Sequence, residues 1–114
     1  MSSPEVQPAA YPGELEIVRL EAGDGATLFV RGEVDLASDF ALDRELRDAE
    51  TPRVQRIVID LGGLEFMDST GIHVLIEAHL RAAANGRQLV LKHVPAHARR
   101  LFSLTGIDAR FSIE

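Results

Sequence analysis

Ile57–Leu75 reads IVIDLGGLEFMDSTGIHVL: an apolar run, a glycine pair, three spaced apolar residues, a cluster of short polar side chains, then the start of an apolar-periodic stretch. Ile57, Val58, Ile59 and Leu61 have the composition of a strand covered on both faces. Gly62-Gly63 is expected to end that strand. Leu64, Phe66 and Met67 then supply apolar anchors. Asp68-Ser69-Thr70-Gly71 places short polar side chains where a helix must satisfy its first free N–H groups. Ser69 is read as the N-cap or a first-turn residue. A helix start carries free donors and partial positive charge, so an anion attached to Ser69 would be tolerated there without unfolding the helix.

On the C-terminal side, Ile72, Leu75, Ile76, His79, Leu80 and Ala83 form an apolar stripe, and Asn85-Gly86 closes the helix with a pair suited to a left-handed cap. Gln88 to His93 reads as a strand. Pro95 suits the first turn of a helix ending near Gly106, and Ala109 to Ile113 reads as a short last strand. On the N-terminal side, Glu14 to Leu20 alternates as a half-exposed strand, Ala22-Gly23-Asp24-Gly25 reads as a hairpin turn, and Thr27 to Val34 returns antiparallel. Asp35 or Ser38 can cap a helix running to about Ala49, which Thr51-Pro52 stops. Residues 1–13, with three prolines and little to bury, are expected to form a flexible tail before a single domain at 14–114. The order is β-β-α-β-α-β-α-β. A hairpin followed by αβ repeats implies an α/β fold with a mixed, mainly parallel sheet and helices packed on it, because parallel strands need crossover connections.

A chain of 114 residues has room for one core. Its mean hydropathy of +0.02 and 26% charged residues place it with soluble globular proteins. No apolar run approaches the roughly 20 residues of a membrane helix, and the N-terminus has no signal-peptide pattern, so a cytoplasmic protein without a membrane partner is expected. The absence of cysteine excludes disulfides, thiolate catalysis and Cys-ligated metals. A formal charge of −6 argues against nucleic acid, which is bound by clustered Lys and Arg. Protein partners are the expectation, with the chain itself a monomer or weak dimer.

LEFMDSTGIHVL, from Leu64 to Leu75, resembles the signature of the bacterial anti-sigma factor antagonists of the STAS-domain family. Two further segments agree in order and spacing. Arg31-Gly32-Glu33-Val34-Asp35-Leu36 is similar to the family's early strand end, and Arg99 to Ile107, RRLFSLTGI, is similar to its late helix. The resemblance covers about residues 14 to 114. It implies a STAS-like sheet with helices on one side, although the further C-terminal helix usual in the family is expected to be missing after Glu114. It also implies partner switching. The unphosphorylated chain would bind an anti-sigma factor of the histidine-kinase-like ATPase fold, freeing a sigma factor to direct transcription. That anti-sigma factor is also the serine kinase, and a PP2C-type phosphatase reverses its action. ATP and the catalytic metal belong to those enzymes, so no cofactor is expected here. A STAS scaffold or transporter-associated module, acting by assembly without obligatory phosphorylation, is the alternative.

Residue by residue, the local motif leaves Ser69 as either a cap or a phosphoacceptor. The resemblance implies the phosphoacceptor, since the family's phosphorylated serine directly follows the motif's aspartate. Thr70 is read as hydrogen bonding within the first turn, with secondary phosphorylation a lesser option. Asp68 either positions a hydroxyl or serves as an acidic residue at a helix start. Glu33 and Asp35 are partner-face charges or turn and cap residues, and the resemblance tips Asp35 toward the binding face. Gly62 and Gly71 are read as backbone necessities, with Gly71 part of the motif that meets the partner. Met67 is either an exposed partner contact or a buried plug.

Other chemistries fail on spacing. His73 and His79 are six apart and project from different helix faces, while His93 and His97 straddle Pro95, so no metal cluster is expected. Arg99-Arg100 reads as a solvated helix face. The Asp68–Gly71 stretch has one residue too many for an aspartic-protease loop and no second copy. Neither a nucleophile elbow nor a phosphate loop occurs, so a non-enzyme is expected.

Overall fold

Leu15 and Ile17 alternate with Glu16 and Val18 to make β1 (Leu15–Ala22), which pairs antiparallel with β2 (Gly25–Val34) across the two-residue turn Gly23-Asp24. The computed structural model describes residues 15–114, so the tail expected at 1–13 and Glu14 of the first strand lie outside the described residues. The chain continues through α1 (Asp39–Ala49), β3 (Arg56–Met67), α2 (Ser69–Ala84), β4 (Gln88–Lys92), α3 (Ala96–Thr105) and β5 (Ser112–Ile113). Strand order in the sheet is β1-β2-β3-β4-β5, with every pair after the hairpin parallel. This is the mixed, mainly parallel α/β sheet anticipated from the pattern.

Each crossover steps one strand in the same direction. With the right-handed connection that parallel strands take, all three helices fall on one face. Burial follows that layering. Ile17, Leu28, Ile57, Ile59, Leu89 and Leu91 point into one core with Leu42, Leu46, Leu75 and Phe102 of the helices. The alternate positions Val18, Thr27, Phe29, Val58 and Val90 form the other face, where Phe29 and Leu20 are exposed. Val90 is nonetheless fully buried. The register places it below the line from Arg56 on β3 to Glu114, and those two side chains form an ion pair at 3.3 Å over β4.

The glycine pair does not end β3. The strand continues through Gly62-Gly63 to Met67. Against β2, Phe29 pairs with Asp60 and Arg31 with Gly63, then Gly32 with Leu64 and Glu33 with Phe66, so β3 carries one extra residue at each of two irregularities. Bulges of this kind bend a strand and re-aim its side chains. Buried positions accordingly change from a spacing of two (Ile57, Ile59, Leu61) to a spacing of three (Leu61, Leu64, Met67). Gly63 is required by close approach, since a Cβ there would lie 2.9 Å from Arg31 Cγ.

Two smaller expectations also change. Ser38 precedes α1 but makes no cap bond to it. Instead its buried hydroxyl donates toward Glu33 O (3.0 Å) and Asp35 Oδ1 (3.1 Å) and accepts from the Asp35 N–H (3.1 Å). Asp35 is no helix cap either, for its carboxylate accepts from the Ala37 N–H at 3.0 Å in a local turn. The last strand is shorter than expected because Ile107–Arg110 makes a turn, closed by Arg110 N–H to Ile107 O at 2.9 Å. Phe111 is buried after it, edge-on to His79 and against Phe102.

Candidate functional site

The C-terminal ends of β2 and β3 meet at Val34 and Met67, and Asp68 N–H donates to Val34 O at 3.2 Å. This pins the start of α2 to the sheet. Asp68, in extended backbone, is the N-cap of α2, and its Oδ1 accepts from the Thr70 N–H at 2.9 Å and from the Thr70 hydroxyl. Asp68 therefore takes the cap that was open to Ser69, because a short carboxylate one residue earlier reaches the second helical N–H. Ser69 becomes the first residue of the helix.

The two hydroxyls differ in what they touch. Thr70 is half-buried and occupied by Asp68. Ser69 is exposed, and its hydroxyl has no hydrogen-bond partner among the described residues. It stands where the free N–H groups and partial positive charge of a 16-residue helix are greatest. A nucleophilic oxygen accessible to an incoming enzyme, at a helix end that accommodates an anion, can be modified without breaking a native contact.

Around it, the structure separates the other sequence-predicted residues. Met67 is 5% exposed and lies under the helix, so of its two readings the plug is the one its burial fits. Gly71 is buried against it: a Cβ at Gly71 would lie 2.7 Å from Met67 Cγ and 2.9 Å from Val34 Cγ1. Both residues shape the site from beneath and offer a partner no exposed side chain. Asp35 is half-buried at the same sheet end, held in its local turn with Ser38. Leu36, Phe40 and Phe66, which the sequence reading did not single out as contacts, are large, apolar and exposed at this end. Their signal was topological. Phe66 pairs with Glu33 across β2 and β3, and Leu36 and Phe40 follow directly from β2.

The histidines are dispersed. His73 Nε2 lies 3.1 Å from Glu77, His93 Nδ1 lies 2.9 Å from Asp60, His97 Nε2 lies 3.0 Å from Leu64 O, and His79 packs on Phe111. Among the described residues no three His, Asp or Glu side chains come together as a metal would need, and no helix is long and apolar enough to cross a membrane. Arg99 and Arg100 are exposed on α3.

Residues 18–113 match the sequence profile of the family described as Mlab, STAS domain. A curated relative from Bordetella bronchiseptica, the candidate anti-sigma factor antagonist BtrV, is 27% identical over 84 residues, which are 74% of this chain and 72% of its own. Among solved structures, an anti-sigma factor antagonist from Mycobacterium paratuberculosis superposes with a TM-score of 0.80 at 22% identity, covering 91% of this chain and 88% of that one. The Bacillus cell fate determinant SpoIIAA in its phosphorylated form superposes with a TM-score of 0.67 at 17% identity, covering 88% of this chain and 90% of that one.

Proposed function

The chain belongs to the STAS-domain family, and from that membership we propose that it is an anti-sigma factor antagonist switched by phosphorylation of Ser69. Its unphosphorylated form binds an anti-sigma factor that is also a serine kinase of the histidine-kinase-like ATPase fold, and thereby releases a sigma factor. One observation carries the assignment to Ser69: of the two adjacent hydroxyls, only Ser69 is exposed and unengaged among the described residues, while Thr70 is held by Asp68. That a structural neighbour, SpoIIAA, has been solved in a phosphorylated form supports a fold compatible with the modification.

The binding face is built around the start of α2. Leu36, Phe40 and Phe66 provide apolar area, and Asp35, Asp68, Ser69 and Thr70 provide polar register over the support of Met67 and Gly71. In the kinase complex the Ser69 hydroxyl oxygen attacks the γ-phosphorus of ATP, the bond to the bridging oxygen breaks, ADP leaves, and the serine proton passes to a base of the kinase. A PP2C-type phosphatase returns the hydroxyl by hydrolysis. The transfer adds about −1.5 to −2 charges next to Asp68. A surface fitted to a neutral hydroxyl then meets repulsion and an unfavourable desolvation, and the complex dissociates.

Binding to the cognate kinase tests this. Ser69→Ala binds constitutively and resists phosphorylation, whereas Ser69→Asp binds at least tenfold more weakly, about 1.4 kcal/mol. Equal affinity of all three proteins sinks the switch. Intact mass of the protein from its native cells adds an independent check, with a gain of about 80 Da, one phosphoryl group, mapped to Ser69. A large assembly without any phosphoserine would favour the scaffold reading.

A further inference from the structure

Ser69, His73, Glu77 and Arg81 lie four residues apart along α2. Positions four apart on a helix are surface neighbours with Cβ atoms about 5–6 Å from one another. Three of the four already interact in sequence. His73 Nε2 is 3.1 Å from Glu77 Oε2, Glu77 adds favourable charge interaction at Arg81, and Arg81 is bound bidentately by Glu50 of α1 at 2.8 and 2.9 Å. The guanidinium is held in its charged form above all by that hydrogen bond to Glu50. Cation and anion therefore alternate from Arg81 to Glu77, an imidazole follows at His73, and the row stops at a neutral hydroxyl. His73 is 72% exposed on its side chain, so its ring is free to turn toward either neighbour. Helical side chains lean toward the N-terminus, so the turn that begins at Ser69 is within the ring's reach, although in the unphosphorylated chain the ring meets Glu77.

We propose that His73 receives the phosphate of phosphorylated Ser69, completing a charge ladder of phosphoserine, histidine, glutamate and arginine along α2. The inference rests on Ser69 as the phosphoacceptor and adds the group that holds the modified side chain. In the unphosphorylated chain the imidazole has a carboxylate only on its C-terminal side. After transfer it stands between two anions and donates to both from its two ring nitrogens. The phosphate is then drawn along the helix surface by a group on its own chain. The charged group that meets the ring is Glu77, while the Asp68 carboxylate one turn earlier is taken up by Thr70. From α1, Asp43 and Glu50 engage Arg81.

The test uses the full chain with phosphoserine placed at position 69 during translation, titrated by phosphorus NMR at low ionic strength. With His73 present, the midpoint of the second phosphate ionisation lies about half a unit lower than in His73→Gln, because a neighbouring cation favours the dianion. The difference collapses in 0.5 M NaCl, as expected for an exposed pair. Coincident midpoints in the two proteins at low salt overturn the ladder. So does a difference that persists unchanged in high salt, since that reports an altered fold. Circular dichroism of unphosphorylated His73→Gln matching the parent secures the comparison. The phosphate is installed without a kinase, so a negative titration leaves the Ser69 switch standing. A kinase indifferent to Ser69 substitutions would overturn the switch whatever the titration shows.

Discussion

Ser69 and Thr70 carry equivalent chemistry and opposite availability, and Asp68 makes the difference. Removing its carboxylate withdraws the acceptor of the Thr70 N–H and frees the Thr70 hydroxyl. Asp68→Ala should therefore lower stability by about 1 kcal/mol, the usual worth of an N-cap, and a kinase assay read by mass spectrometry should find phosphate on Thr70 as well as Ser69. Gly71 is governed by contact. Alanine favours a helix by about 0.5–1 kcal/mol over glycine, but its methyl would meet Met67 Cγ at 2.7 Å and the stiff Val34 Cγ1 at 2.9 Å. Overpacking of about 1–3 kcal/mol wins, so Gly71→Ala should shift the urea midpoint downward. Residue types placed the hydroxyl cluster at a helix start. Whether the cap was Asp68 or Ser69 depended on the backbone of a single residue, which the pattern of short polar side chains does not encode.

At the scale of elements, β3 shows where sequence reading stops. Its first half is a β-branched apolar run buried on both faces, but Leu61, Leu64 and Met67 are spaced by three, a period that belongs to neither a strand nor a full helix turn. Glycines beside such a break read as a turn. The strand survives because β2 lies alongside with two compensating irregularities, and a partner strand's register is invisible from the segment itself. The helices were legible from their spacing, but the buried face of α2 runs through Ile72, Val74, Leu75, Ala78 and Ala82, leaving Leu80 and Ala83 of the anticipated stripe exposed. The clamp between α1 and α2 was not legible, since Arg81 and Glu50 are 31 residues apart. Arg81→Gln should cost about 1–3 kcal/mol, because it leaves the mostly buried Glu50 carboxylate without its bidentate partner. The Arg81 pKa is raised, so its contribution is complete below the guanidine's ordinary range and lost only in strong alkali. Denaturation midpoints of the two proteins should differ by a constant amount between pH 7 and 10.

For the whole molecule, the order of elements was enough to anticipate the sheet, since the hairpin and three αβ steps admit few topologies once crossovers are right-handed. The chain already carries a formal charge of −6 before any modification. If phosphorylation acts by charge, the ratio of kinase affinities between the parent chain and Ser69→Asp should shrink as sodium chloride rises from 50 to 500 mM, with screening shortening to a few ångströms. A ratio independent of salt would assign the effect to shape.

The unbroken run of β3 into the Asp68 cap has a consequence for timing. Ser69 is attached to the sheet through a hydrogen-bonded ladder and one backbone bond to Val34, with no hinge between the core and the hydroxyl. A phosphate added there would need no rearrangement of the backbone between the sheet and the serine. If Ser69 is the switch, the response time would be the turnover of the modifying enzymes and the residence time of the complex, and mutations deep in the core should change how much protein is present rather than how quickly it responds.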